Sequence, residues 1–198
     1  MGVARYDERT ALIVTDVQND FADPKGSLYV TGGEAVVEAV NEQIAAALEA
    51  GATVIYTQDW HPPDTPHFEK DGGVWPVHCV AESWGSELHP ALTRVEGAVV
   101  VRKGTTGDDG YSAFSERDPR SGEVRETPLT DALARHGVER VVVVGLATDY
   151  CVKETVLDAR RRGLPTEVPA GTIAAVEVEP GDGERALEEM RSAGAAVA

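Results

Sequence analysis

Short β-branched apolar runs alternate with amphipathic helical stretches along almost the whole chain, and this alternation restricts the fold more than any other feature. The run at 11–17 (ALIVTDV) has the composition of a strand buried on both faces. An amphipathic helix is predicted at 34–50, stopped by Gly51. The next strands are predicted at 53–58 (TVIYTQ) and 98–102 (AVVVR). Thr127-Pro128 then opens a helix, as a capping hydroxyl followed by a first-turn proline, and Gly137 closes it behind His136. A fourth strand at 141–144, a helix at 149–162 closed by Gly163, a fifth strand at 166–168, a helix at 184–192 and a sixth strand at 195–197 complete the series. Strands joined through helices imply right-handed crossovers and a parallel arrangement. The expected fold is a single α/β domain over 1–198: a doubly wound, mostly parallel sheet with helices on both faces. A chain of 198 residues is large enough to fill one such core.

Composition narrows the partners. The formal net charge of −16 disfavours nucleic acid, whose nonspecific affinity rests on Lys and Arg neutralising phosphates. No apolar run approaches the ~20 residues that span a bilayer, so no membrane partner is expected. The first ten residues carry several charges and no hydrophobic core of a secretory signal, which makes a cytoplasmic location the expectation. In that compartment Cys79 and Cys151 are not expected to pair, and each thiol stands alone.

One stretch, 60–92, breaks the rhythm. It holds all three tryptophans and four of the five histidines, and a connection this long inside a compact domain usually serves function. In open α/β sheets ligands bind outside the carboxyl ends of the strands. Asp16 follows the first strand, Asp59 the second and Lys103 the third, and Cys151 lies just beyond the fourth. One such residue would be an ordinary turn or cap; four in succession point to a site. Cys151 is predicted in the first turn of a helix, where peptide dipoles favour a thiolate, with Lys103 as a second positive influence and Asp16 as base. Nucleophile, base and cation suit covalent catalysis on a carbonyl. Cys79 has no charged partner at a strand end and reads as a small buried hydrophobe. Asp59, His61, His67 and His78 form a donor set for zinc, iron(II) or manganese(II), Asp59 and His61 pointing to the same side of an extended chain. His89 and His136 lack such company, and a helix C-terminus explains His136.

These residues resemble the isochorismatase-like cysteine hydrolases. Asp16-Val17-Gln18-Asn19-Asp20-Phe21 is similar to their opening motif, Arg102-Lys103-Gly104 to their lysine motif, and Gly145-Leu146-Ala147-Thr148-Asp149-Tyr150-Cys151-Val152 to their nucleophile motif. Asp59-Trp60-His61-Pro62, His67-Phe68 and Trp75-Pro76-Val77-His78-Cys79-Val80 resemble the nicotinamidase branch of that superfamily. The resemblance implies a triad of Asp16, Lys103 and Cys151, and one divalent ion (zinc, iron or manganese) held by Asp59, His61, His67 and His78. It implies a cis peptide between Leu146 and Ala147 and an oxyanion hole made by the N–H groups of Ala147 and Cys151. It also implies a ring pocket lined by Phe21, Trp75 and Tyr111, with Tyr150 and Leu146 beside it. The implied activity is hydrolysis of nicotinamide to nicotinate and ammonia through a cysteine thioester, a step of NAD salvage, with pyrazinamide as a further small amide. Two other readings stay open: a relative acting on another small amide or, as an isochorismatase-type hydrolase, on a vinyl ether; and a catalytically idle binding protein on the same fold. The metal set argues against isochorismate, and the joint presence of Asp16, Lys103 and Cys151 argues against an idle scaffold. A monomer and a homo-oligomer are both compatible with the sequence.

Overall fold

In the computed structural model, which describes residues 3–198, each of the expected strand regions joins one sheet. The elements are, in chain order, β1 (Thr10–Thr15), α1 (Asn19–Ala22), α2 (Gly33–Glu49), β2 (Thr53–Asp59), β3 (Val99–Lys103), β4 (Ser115–Arg117), β5 (Val124–Glu126), α3 (Leu129–Arg135), β6 (Arg140–Leu146), α4 (Lys153–Arg161), β7 (Thr166–Val168), β8 (Ile173–Ala174), α5 (Asp182–Ser192) and β9 (Ala196–Val197). The main sheet runs in the order β3-β2-β1-β6-β7-β9, and β8 pairs with β6 alongside this path. Every pairing in it is parallel. β4 and β5 form a separate antiparallel hairpin.

Alternation of side chains along the buried strands divides the core into two layers. Leu12, Val14, Val54, Tyr56, Val142 and Val144 pack with Val36, Val40, Ile44 and Ala47 of α2. Ala11, Ile13, Ile55, Val141 and Val143 pack on the opposite face with Leu133 of α3, Val156 of α4 and Met190 of α5. The helices therefore cover both faces, as a parallel sheet requires. β1 lies between β2 and β6, so the strand order reverses around its carboxyl end. That reversal opens the crevice in which such sheets bind ligands.

Differences from the sequence reading are local. β1 ends at Thr15, and Asp16 turns the chain out through a left-handed backbone (φ 47°), a conformation that aspartate tolerates better than most residues. The helix expected from 149 begins as a π-helical turn over Thr148–Val152 before α4 takes over. The one-turn α1, the β4–β5 hairpin and β8 were not foreseen, because each is too short to show a periodic pattern. Thr127 does cap α3, its hydroxyl accepting from the Leu129 N–H (3.2 Å). No described helix is long and apolar enough to cross a membrane.

Because Ile44 is fully buried between α2 and the sheet, Ile44→Ala is expected to destabilise the protein by ~2–5 kcal/mol. Denaturant titration of purified wild type and variant measures this, and a loss near zero would contradict the packing described.

Candidate active site

Lys103 ends β3 with its side chain fully buried. Its Nζ donates to Asp16 Oδ2 (2.7 Å), Asp59 Oδ1 (2.7 Å) and the Gly110 carbonyl, and lies 3.6 Å from Cys151 Sγ. Four strand ends thus converge on one ammonium group. Asp16 is held from a second side, since its N–H donates to Thr57 Oγ1 (3.1 Å) and that hydroxyl donates to Asp16 Oδ1 (2.5 Å). The side chain of Gln18 brackets the backbone of Asp59, accepting from its N–H and donating to its carbonyl (both 2.8 Å). Gly145 lets β6 come this close to β1: a Cβ there would sit 2.0 Å from the Thr15 carbonyl oxygen.

Carboxylate oxygens of Asp16 and Asp59 and the sulfur of Cys151 all lie within 4.8 Å of one another. Burial would depress the Lys103 pKa, but Asp16 and Asp59 outweigh it and hold the ammonium well above its ordinary value. Burial pushes the Asp16 carboxyl up, Lys103 draws it back and Asp59 raises it again, leaving it at about 6. For Asp59 burial is overcome by Lys103 and then by the neighbouring imidazoles, so its carboxyl stays well below the usual range. Cys151 departs from the expectation of a ready thiolate. Burial pushes its thiol well above the ordinary value, Lys103 opposes this, and Asp16 and Asp59 reinforce it. A helix dipole cannot prevail where solvent is excluded and two carboxylates face the sulfur. The resting thiol is neutral, with a proton acceptor beside it.

The 60–92 segment is pinned back on itself. The His61 N–H donates to the Cys79 carbonyl (3.0 Å), the Ala81 N–H to the His61 carbonyl (2.8 Å), and the Glu69 N–H to the Trp75 carbonyl (2.8 Å). This gathers His61, His67 and His78, all buried, with one ring nitrogen of each within 4.8 Å of the others. Asp59 faces them with its second oxygen, Oδ2 lying 3.7 Å from His61 Nε2 and 3.8 Å from His78 Nε2. Nδ1 of His78 donates to the Pro76 carbonyl (2.7 Å) and Nδ1 of His67 meets Asp109 Oδ1 (2.7 Å), which leaves both Nε2 atoms for another partner. Both ring nitrogens of His61 are buried without any hydrogen-bond partner. Such orphaned polar atoms are costly unless something else binds them. Gly104, at φ +73°, keeps this space open, because a Cβ there would lie 2.5 Å from the His61 ring. Three imidazoles and a carboxylate with these unmet needs fit a borderline divalent metal ion.

Between the two clusters lies a cleft lined by Phe21, Leu28, Asp59, His67, Trp75, His78, Tyr111, Ala147, Tyr150, Cys151 and Val176. Its aromatic wall is ordered: Trp75 Nε1 donates to the Tyr111 hydroxyl (2.8 Å), and Trp75 meets Tyr150 edge-on with centroids 4.7 Å apart. The Leu146–Ala147 peptide is cis. Ala147 lines the cleft, whereas the Leu146 side chain packs in the core shared with α2. Cys79 is fully buried, 3.8 Å from the Gly85 carbonyl. Sequence reasoning gave no role to Gln18, Thr57, Asp109, Leu28 or Val176. Only Gln18, inside the Asp16–Phe21 motif, carried any signal; the others are ordinary residue types placed here by tertiary packing. A larger groove between Phe114, Pro128 and Arg162 lies elsewhere and holds no nucleophile or histidine.

The isochorismatase domain family matches residues 10–198. A nicotinamidase from Escherichia coli (strain K12) is 38% identical over 201 residues, covering 93% of this chain and 92% of that one. Among solved structures, PnC1 from L. infantum in complex with nicotinate has a TM-score of 0.86 at 35% identity, covering 99% of this chain and 96% of that chain. The pyrazinamidase of Pyrococcus horikoshii in complex with zinc has a TM-score of 0.85 at 39% identity, covering 96% and 98%.

Since Lys103 lowers the Cys151 pKa, Lys103→Met should shift alkylation of Cys151 by iodoacetamide to higher pH. A rate profile across pH for wild type and variant reads this directly. An unchanged profile would remove Lys103 from activation of the thiol.

Proposed function

The chain belongs to the isochorismatase domain family, and from that premise we propose that it hydrolyses nicotinamide to nicotinate and ammonia, with pyrazinamide as a second substrate. The observation that carries this reading is a nucleophile, Cys151, in the wall of a cleft whose other walls are histidines and aromatic rings, with the buried Lys103 and Asp16 directly behind its sulfur. A flat heteroaromatic amide suits such a cleft, its ring between Phe21, Trp75, Tyr111 and Tyr150 and its carboxamide over Cys151. The nicotinamidase and nicotinate-bound relatives support the same substrate.

Asp16 accepts the proton of the Cys151 thiol, and its pKa of about 6 suits a group that must take and return that proton near neutrality. The sulfur attacks the carboxamide carbon. Negative charge then develops on the former carbonyl oxygen, where the N–H groups of Ala147 and Cys151 serve as donors. Asp16 returns the proton to the amide nitrogen, the C–N bond breaks and ammonia leaves, giving a thioester on Cys151. Water adds to the thioester as Asp16 takes its proton; the C–S bond breaks, nicotinate departs and the thiol is restored. Lys103 stays protonated throughout and offsets the charge on Asp16, Asp59 and the transient thiolate. Asp59, His61, His67 and His78 would hold the divalent ion, of the kind that the P. horikoshii pyrazinamidase carries as zinc. When bound, the ion supplies a Lewis-acid position for the ring nitrogen and so orients the carboxamide.

Two experiments test this. Cys151→Ala should abolish ammonia release from nicotinamide without loss of fold or metal, while Cys79→Ala should retain most of it; the reverse pattern would reassign the nucleophile. His61→Ala removes a buried ring that makes no hydrogen bond, so the fold should be retained at some cost in stability while metal content drops and KM rises sharply. Reversible chelation should do the same, with Cys151 still open to alkylation. A metal-free protein that hydrolysed nicotinamide with normal KM would exclude the anchoring role.

A further inference from the structure

We infer that Asp109 is a positioning residue for the metal centre and acts through the imidazole of His67. The inference rests on the reading that His61, His67 and His78 share a divalent ion. The three imidazoles are supported differently. His61 has no hydrogen-bond partner on either nitrogen, and Nδ1 of His78 donates to a neutral backbone carbonyl. Among the described residues only His67 hydrogen-bonds a carboxylate, its Nδ1 meeting Asp109 Oδ1 at 2.7 Å, whereas Asp59 Oδ2 stands farther off, 3.7 Å from His61 and 3.8 Å from His78. An ionised carboxylate can only accept, so Nδ1 of His67 carries the hydrogen and Nε2 keeps its lone pair free. The bond also fixes the plane of the ring, which stacks on His61 with centroids 4.5 Å apart and 17° between planes. Rotation of His67 would break both contacts.

Asp109 is itself built to hold position. Its N–H donates to the Arg117 carbonyl (2.8 Å) and its carbonyl accepts from the Arg117 N–H (2.9 Å), tying it to β4. The next two residues face the rest of the site: the Gly110 carbonyl accepts from Lys103, and the Tyr111 hydroxyl accepts from Trp75. Among the described residues the Asp109 carboxylate makes no other ion pair, and its side chain is about a quarter exposed (23%). Its side chain therefore has no visible purpose in holding the fold; its one partner is a histidine of the cluster. A carboxylate behind a ligating imidazole fixes the tautomer and strengthens the donor, and its loss typically weakens metal binding roughly 10–100-fold.

The test is a set of metal-binding titrations with zinc and cobalt(II), against a competing chelator, on wild type, Asp109→Ala and Asp109→Asn. Asp109→Ala should bind each ion roughly 10–100-fold more weakly. Asp109→Asn keeps an acceptor oxygen without the charge and should fall between. The cobalt(II) absorption spectrum should change in Asp109→Ala, while the metal-free melting temperature and the Cys151 alkylation rate stay at wild-type values. Equal metal affinity in all three proteins would overturn the inference and leave the proposed activity standing. A metal-free Asp109→Ala with lowered melting temperature and altered alkylation would make the role merely structural. A wild-type protein that took up neither ion would overturn the metal reading and this inference together.

Discussion

A lysine ammonium with no exposed surface can persist only if its hydrogens find acceptors and its charge finds an opposite. Lys103 meets that condition through Asp16, Asp59 and the Gly110 carbonyl, with the Cys151 sulfur as a longer fourth contact. Removing one partner of a buried pair typically costs about 3–5 kcal/mol, because the remaining charge is left uncompensated. The strand order answers this demand. β1, β2 and β3 are consecutive neighbours, β6 adjoins β1 on the other side, and their carboxyl ends present two carboxylates, an ammonium and the approach to a thiol around one point. The close approach in turn needs Gly145 against Thr15 and a left-handed turn at Asp16.

Asp59 joins the two halves of the site. One of its oxygens accepts from Lys103 and the other faces His61 and His78. The proton-transfer machinery and the donor cluster are therefore not independent modules, since they share a carboxylate held below its ordinary pKa by both. Burial, reinforced by the same negative charges, pushes the Cys151 thiol well above its ordinary value. In the proposed mechanism a buried thiol of this kind is chemically quiet until Asp16 draws off its proton in the presence of an electrophile. Selectivity for an amide would then follow from that arrangement rather than from a permanently activated sulfur.

Much of this was legible in the residues. The short β-branched apolar runs, the helix stops at Gly51, Gly137 and Gly163, and the reactive residues at successive strand ends pointed to the parallel α/β sheet and to a site shared by Asp16, Asp59, Lys103 and Cys151. The clustering of histidines in 60–92 pointed to a donor set. What was misjudged was the electrostatic state of Cys151. A helix start can be seen in sequence, but the extent of burial and the number of carboxylates facing the sulfur cannot. Leu146 was expected beside the ring pocket from its place in the nucleophile motif. At the end of β6 its side chain instead packs beneath α2, and the following residue, Ala147, lines the cleft.

The sequence by itself determined the principal strands and helices, because hydrophobic periodicity and helix stops are local properties of the chain, and it determined which reactive side chains are available, because residue type fixes reactivity. The tertiary structure alone decided how those side chains behave. Thr57 steadies Asp16, Gln18 holds the backbone of Asp59, and Asp109 backs His67 from 42 positions away. Leu28 and Val176 close the cleft from segments with no motif of their own. Desolvation, hydrogen-bond partnership and the sum of nearby charges depend on distances through space, which a linear pattern does not encode until the chain has folded.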